Sequence, residues 1–221
     1  VSTILEAPPH PSRGDGRRPP PPPPTGGDGG DGGEPGRHTG FDNAILATIF
    51  LIAAEVMFFA GLVSAFSVLR LAAPVWPPPL QPRLPVGVTG INTLILLASS
   101  VAVVAGLRAL RADRRSIAIN RFGLAAGLGA LFLLVQGYEW IRLLGFGLTM
   151  SSSTYGATFY TLIGAHGIHV LAALGWLAIT VLLLARRRLT DGRMAAVRAC
   201  ALYWHFVVTL WPILYVSVYL L

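Results

Sequence analysis

The chain has no lysine and a single cysteine, and charged residues make up only 12% of its 221 positions. One cysteine, Cys200, excludes an internal disulfide framework and any cysteine-rich metal site. Its apolar surroundings predict a buried, inert thiol. Soluble domains carry about 25% charged residues, so this shortage, set against a hydrophobic fraction of 53%, speaks against an ordinary globular fold. No apolar h-region precedes the first hydrophobic segment, so a cleavable secretory signal is not expected and membrane insertion is expected to start at the first span.

What is present falls into two kinds of material. Residues 1–40 hold an unbroken proline run, Pro19 to Pro24, and a Gly-rich stretch carrying Asp28, Asp31 and Glu34. Such a segment has too few apolar side chains to offset the entropy of ordering, and a disordered tail is expected. Residues 41–221 are expected to form an all-α polytopic membrane domain. Five apolar stretches, approximately 43–70, 86–109, 117–145, 157–186 and 195–221, each exceed the roughly 20 residues needed to cross about 30 Å of hydrocarbon. Pro74, Pro77, Pro78, Pro79, Pro82 and Pro85 all fall in the first connection, where a missing N–H does no harm.

The seventeen arginines orient the bundle. Fourteen lie in the tail and in the second and fourth connections or their flanks, and three, Arg70, Arg83 and Arg142, lie on the other side. By the positive-inside rule the N-terminus is expected to be cytoplasmic and the C-terminus outside, in a bacterial-type inner membrane. The net charge of +7 then reads as topology and contact with anionic headgroups. Nucleic-acid binding is not expected, because the basic residues flank apolar spans and form no stripe on a soluble face.

Eight of the ten acidic residues lie in the tail or connections, which singles out Glu55 near the middle of the first span and Glu139 on the third. A carboxyl group at mid-span is expected to be protonated or paired, because an isolated charge is costly there. Glu55 is the foremost functional candidate, and bundle-holding hydrogen bonding is the plainer role for it. Gln136 and Glu139 share one helix face, suited to a hydrogen bond with a facing helix or to a lipid headgroup. His166 and His169 are one turn apart on the fourth span, and His205 is on the fifth. Two imidazoles at that spacing can serve a metal or haem completed by His205, or can hydrogen-bond between helices. Gly164, Ala165, Gly167, Ala172 and Ala173 around them predict close helix approach. Trp76, Trp140, Tyr155 and Tyr160 at one boundary and Tyr203 and Trp204 towards the other read as interfacial anchors. Pro212, after Trp211, is expected to free a carbonyl one turn earlier and bend the last span.

These residues carry a resemblance. Ala54-Glu55-Val56-Met57-Phe58-Phe59-Ala60-Gly61, the following Trp76-Pro77-Pro78, and Ile91-Asn92-Thr93 with Leu96-Leu97-Ala98-Ser99 are similar to subunit III of cytochrome c oxidase. Gln136-Gly137-Tyr138-Glu139-Trp140 resembles that family's LQxxEY stretch. Tyr155-Gly156-Ala157-Thr158-Phe159-Tyr160 and Gly164-Ala165-His166-Gly167-Ile168-His169-Val170 resemble its YGSTFF and GxHGxHV segments. Tyr203-Trp204-His205-Phe206-Val207, Trp211 and Tyr215-Val216-Ser217-Val218-Tyr219 follow in the family's order, so the likeness is collinear over 41–221.

The resemblance implies a five-span member of a family that otherwise has seven. It implies a bundle with a phospholipid-holding cleft, bound to the side of oxidase subunit I, with haem and copper in partner subunits and none in this chain. It implies that Glu55 matches the family's carbodiimide-reactive carboxyl group, supporting proton movement or lipid and oxygen access. No catalytic residue or metal ligand is expected here; the proton- and lipid-associated set is Glu55, Gln136, Glu139, His166, His169, His205 and Trp211. Val208 stands where the family has Asp, and Arg198 where it often has Glu. Two rivals remain: a related subunit of a quinol oxidase or nitric oxide reductase, and an independent ion-coupled transporter using Glu55 and Glu139, although no inverted repeat is visible. The tail has no counterpart in the resemblance and is expected to act as a tether or docking segment.

Overall fold

Apolar residues on every side of a segment leave its backbone polar groups no partners but each other, and five helices result. The structure, a computed structural model, describes residues 43–78, 84–186 and 194–220. The helices are α1 (Asn43–Ala72), α2 (Val86–Arg111), α3 (Arg115–Gly145), α4 (Thr154–Ala185) and α5 (Met194–Tyr215), and α5 runs on into a π-helical turn at Val216–Leu220. No strand occurs among the described residues. All five are long and apolar enough to cross a membrane, and the chain is an integral membrane protein. Their bounds follow the expected spans closely. The tail, Pro79, Pro82, Arg83, Arg187, Arg188, Arg193 and Leu221 lie outside the described residues.

Local chemistry sets the helix ends. The short α2–α3 turn carries Asp113 at φ 55°, and Arg114 N–H closes back on the Ala109 carbonyl at 2.9 Å. Helix α3 ends at Gly147, φ 84°, with Leu148 N–H bonded to the Leu143 carbonyl at 3.0 Å. Both are left-handed terminations that satisfy carbonyls otherwise left orphaned. Ser153 begins α4 by accepting the Gly156 N–H through its hydroxyl at 3.1 Å. The guanidinium of Arg115, at the start of α3, donates to the Leu184 carbonyl at the end of α4, so the two helices are tied where the last α4 carbonyls have run out of intrahelical donors.

Helix α5 is the most buried span and α1 the least. Trp204, Trp211, Val207 and Leu214 of α5 lie in the core with Phe132 of α3 and Phe159 and Ile163 of α4. Only Thr48, Phe59 and Phe66 of α1 are buried, and Phe50, Met57 and Leu71 project outwards. Helices α2 and α3 pack along most of their length, and α5 contacts α1, α2 and α4. Lipid tails are as apolar as leucine, so dispersion and hydrogen bonding between helices hold this bundle. Gly129 shows the fit: a Cβ there would stand 2.5 Å from Cη2 of Trp204.

Two sequence expectations change. Trp204, Tyr203 and Tyr155 are core residues and not lipid-facing anchors. Their rings find better dispersion partners inside than at the boundary, and Tyr155 packs edge-on to Trp76 at 5.1 Å. Gly164 and Gly167 admit the tip of the Trp140 indole, which would lie 3.9 and 3.3 Å from a Cβ at either position. What approaches there is a side chain and not a second backbone. Pro212 sits inside α5, which continues to Tyr215 before the π turn.

Candidate functional site

Glu55 lies at mid-helix in α1, its side chain 12% exposed. The Tyr203 hydroxyl of α5 donates to Glu55 Oε1 at 3.0 Å, and His169 Nε2 of α4 stands 3.7 Å from the same oxygen. One carboxylate thus joins three helices, and its second oxygen, Oε2, is buried without a partner. His169 Nδ1 is 2.6 Å from the Ala165 carbonyl, so that nitrogen carries the proton and Nε2 is left to face Glu55. The Phe59 ring packs edge-on to His169 at 5.1 Å and screens the pair on one side. Such a group can hold or pass a proton, or simply lock α1 to α4 and α5.

His166, one turn from His169, has a different environment. It is 0% exposed, stacks on Trp211 at 5.0 Å with a 27° interplanar angle, and meets Phe132 edge-on at 6.5 Å. Neither ring nitrogen has a hydrogen-bond partner. His205, on α5, is 2.5 Å from the Ser100 hydroxyl of α2 through Nδ1. The two-imidazole spacing therefore does not bring the three histidines to one point, and among the described residues no three His, Cys, Asp or Glu side chains converge as a metal site.

The third-span pair separates too. Gln136 Nε2 donates to the Tyr219 hydroxyl at 3.2 Å, which is the facing-helix bond its position predicts. Glu139 pairs with Arg142 of its own helix at 3.3 Å, so its charge is met locally. Trp211 is fully buried and donates from Nε1 to Thr93 Oγ1 at 2.9 Å.

That last bond belongs to a series the sequence reading missed. Helices α2 and α5 run antiparallel and exchange hydrogen bonds along their seam. Tyr215 O–H donates to the Val86 carbonyl at 2.9 Å, Trp211 to Thr93, Trp204 Nε1 to Ser99 Oγ at 3.1 Å, and His205 meets Ser100. Asn92 of the same helix reaches the Phe132 carbonyl at 3.1 Å. Small hydroxyls on α2 thus accept from large aromatic donors on α5. Thr, Ser and Asn at one-turn and two-turn intervals in an apolar span are the signal that could have found this seam.

The sequence model for "Cytochrome c oxidase subunit III" matches residues 33–221. The chain belongs to that family. Among its relatives, a cytochrome c oxidase subunit 3 of Synechocystis sp. is 35% identical over 188 residues, 84% of this chain and 79% of the relative. One of Corynebacterium diphtheriae is 34% identical over 179 residues, 79% and 86% of the two chains. One of Sus scrofa is 35% identical over 177 residues, 77% and 67%. In this subunit III-family chain, Val208, where the resemblance has Asp, is buried at 2% exposure, and Arg198 is exposed.

Proposed function

We propose that this chain is the redox-silent subunit III of a proton-pumping haem-copper cytochrome c oxidase in an aerobic respiratory chain. Partner subunits carry haem and copper; this chain flanks and stabilises subunit I and supports proton uptake during oxygen reduction. The observation that carries the reading is the Glu55 carboxylate held between Tyr203 and His169, an ionisable group retained inside a span where it is expensive. A groove of about 470 Å³ between α1 and α5, lined by Val56, Phe59, Val63, Phe206 and Ile213, suits a phospholipid acyl chain. The arginine distribution supports a cytoplasmic N-terminus in a bacterial-type inner membrane.

Isolation of the native complex in mild detergent tests this. Co-purification with a haem- and copper-bearing subunit I, and a fall in the number of turnovers before inactivation when this chain is removed, are expected. A chain recovered alone, or one that itself yields a bis-histidine haem spectrum, overturns the reading. A quinol-oxidising complex in the same preparation would reassign the electron donor.

A further inference from the structure

Two residues with buried, unpartnered polar atoms share one groove. It has a volume of about 310 Å³ and lies between α3 and α4, with Trp140 of α3 and His166 of α4 both in its wall. Trp140 Nε1 and both ring nitrogens of His166 are buried without a hydrogen-bond partner. The other polar side chains of that wall are already engaged, Gln136 on the Tyr219 hydroxyl and Trp211 on Thr93. Leaving a buried donor or acceptor unpaired is costly, so an indole N–H and an imidazole left over at one groove call for an occupant that supplies their partners. Ile168 and Leu171 line the same groove and are exposed on this chain, which puts its mouth on the lipid-facing side of the bundle.

The wall restricts what that occupant can be. No charged residue lines the groove, so an ion or a charged headgroup would meet no counter-charge there. His166 is twelve residues into α4, about 18 Å from its start at 1.5 Å per residue, deep within a hydrocarbon layer of about 30 Å. A bare hydrocarbon chain reaches that depth and leaves both polar groups unpaired. A flat, neutral ring bearing oxygens meets every condition: Phe132, Trp140 and Trp211 offer it aromatic walls, the indole N–H donates, and a neutral imidazole donates from one nitrogen and accepts at the other. We infer that the α3–α4 groove binds the headgroup ring of a quinone dissolved in the bilayer, its oxygens paired with the Trp140 N–H and the His166 imidazole. The quinol form fits the same wall, because its hydroxyl can donate to the imidazole nitrogen that carries no proton. A few placed polar groups in an otherwise apolar cleft are the usual make-up of a small-molecule site. The groove is separate from the Glu55 carboxylate and leaves the electron donor proposed above unchanged.

Photoaffinity labelling of the intact complex with a short-chain azido-benzoquinone tests the site, read as label on the α3 and α4 peptides of this chain. Saturable labelling there, displaced by unlabelled decyl-benzoquinone, is expected. His166→Phe keeps an aromatic ring in place and removes both nitrogens, and Trp140→Phe removes the indole N–H; each is expected to weaken binding about tenfold. Gly137→Leu fills the groove from α3, where an added Cβ meets nothing within 4 Å, and is expected to abolish labelling. A matched azido-alkylbenzene without ring oxygens should be indifferent to the His166 and Trp140 changes. Co-purification of the partner chains checks assembly of each variant, and if Gly137→Leu does not assemble, His166→Phe and Trp140→Phe decide. Quinone labelling unchanged in those two variants overturns the assignment in favour of an apolar filler. Label confined to other subunits, or none at all, overturns the site itself.

Discussion

Glu55 has two partners of unequal weight. The Tyr203 hydroxyl makes a well-formed hydrogen bond at 3.0 Å, whereas His169 at 3.7 Å is beyond hydrogen-bond range and acts as a nearby dipole or charge. Interhelical bonds of this kind contribute about 0.6 kcal/mol on average and up to roughly 2 kcal/mol. Tyr203→Phe is therefore expected to destabilise the bundle by about 1 kcal/mol, measurable by steric-trapping or denaturant unfolding in bicelles. In a double-mutant cycle, Glu55→Gln and Tyr203→Phe should couple; additive effects would show that the bond adds nothing. In the assembled oxidase, Glu55→Gln should leave assembly intact and lower proton-coupled turnover or its endurance by less than about tenfold. Complete loss of oxygen reduction in an assembled mutant would contradict a supportive role.

At the scale of elements, the α2–α5 seam and the packing of Trp204 on α3 fix α5 as the centre of the bundle. Gly129 makes room for the Trp204 indole, and the same indole donates to Ser99 on α2, so one side chain is placed by two helices. Gly129→Leu has no space to enter without moving that ring, and overpacking of this sort costs about 1–3 kcal/mol. The expected signature is lower unfolding stability together with a blue- or red-shifted Trp emission relative to the parent. Gly129→Leu in a Trp204→Phe background should cost less, because the smaller ring leaves the Cβ room; an equal cost would place the clash elsewhere. His166 is the element-level puzzle. Its nitrogens have no partner, yet its ring is used fully, stacked on Trp211 and met edge-on by Phe59 of α1 and Phe132 of α3. It serves the core as an aromatic.

The whole molecule presents a well-packed α5 side and an α1 that projects large apolar side chains such as Met57 and Leu71 outwards. In water such a face would be an aggregation hazard; in a bilayer it is ordinary lipid contact. Several buried polar groups of the interior make helix-to-helix bonds, Gln136 with Tyr219, Trp211 with Thr93 and Trp204 with Ser99, whereas Glu55 Oε2 and the His166 nitrogens stay unpaired. Liposomes containing this chain alone are expected to show no proton flux above protein-free controls, read with an entrapped pH dye. Flux that depended on Glu55 and Glu139 would move the chain to the transporter class.

Span number, helix limits and family membership were set by the sequence, because hydrocarbon thickness fixes length and a bilayer permits no other use for twenty apolar residues in a row. Gln136 facing another helix and the burial of Cys200 were legible too, since a lone polar or thiol group in such a span has few alternatives. The partners were not legible. Periodicity places His166 and His169 on one face, but only packing sends the first against Trp211 and the second towards Glu55. Glycines near the histidines suggested backbone contact, and an indole from α3 fills the gap instead. Which aromatic rings face lipid and which face protein is a question of how helices rotate against one another. That rotation is decided by side-chain fit and by the α2–α5 hydrogen bonds, which join residues more than a hundred positions apart.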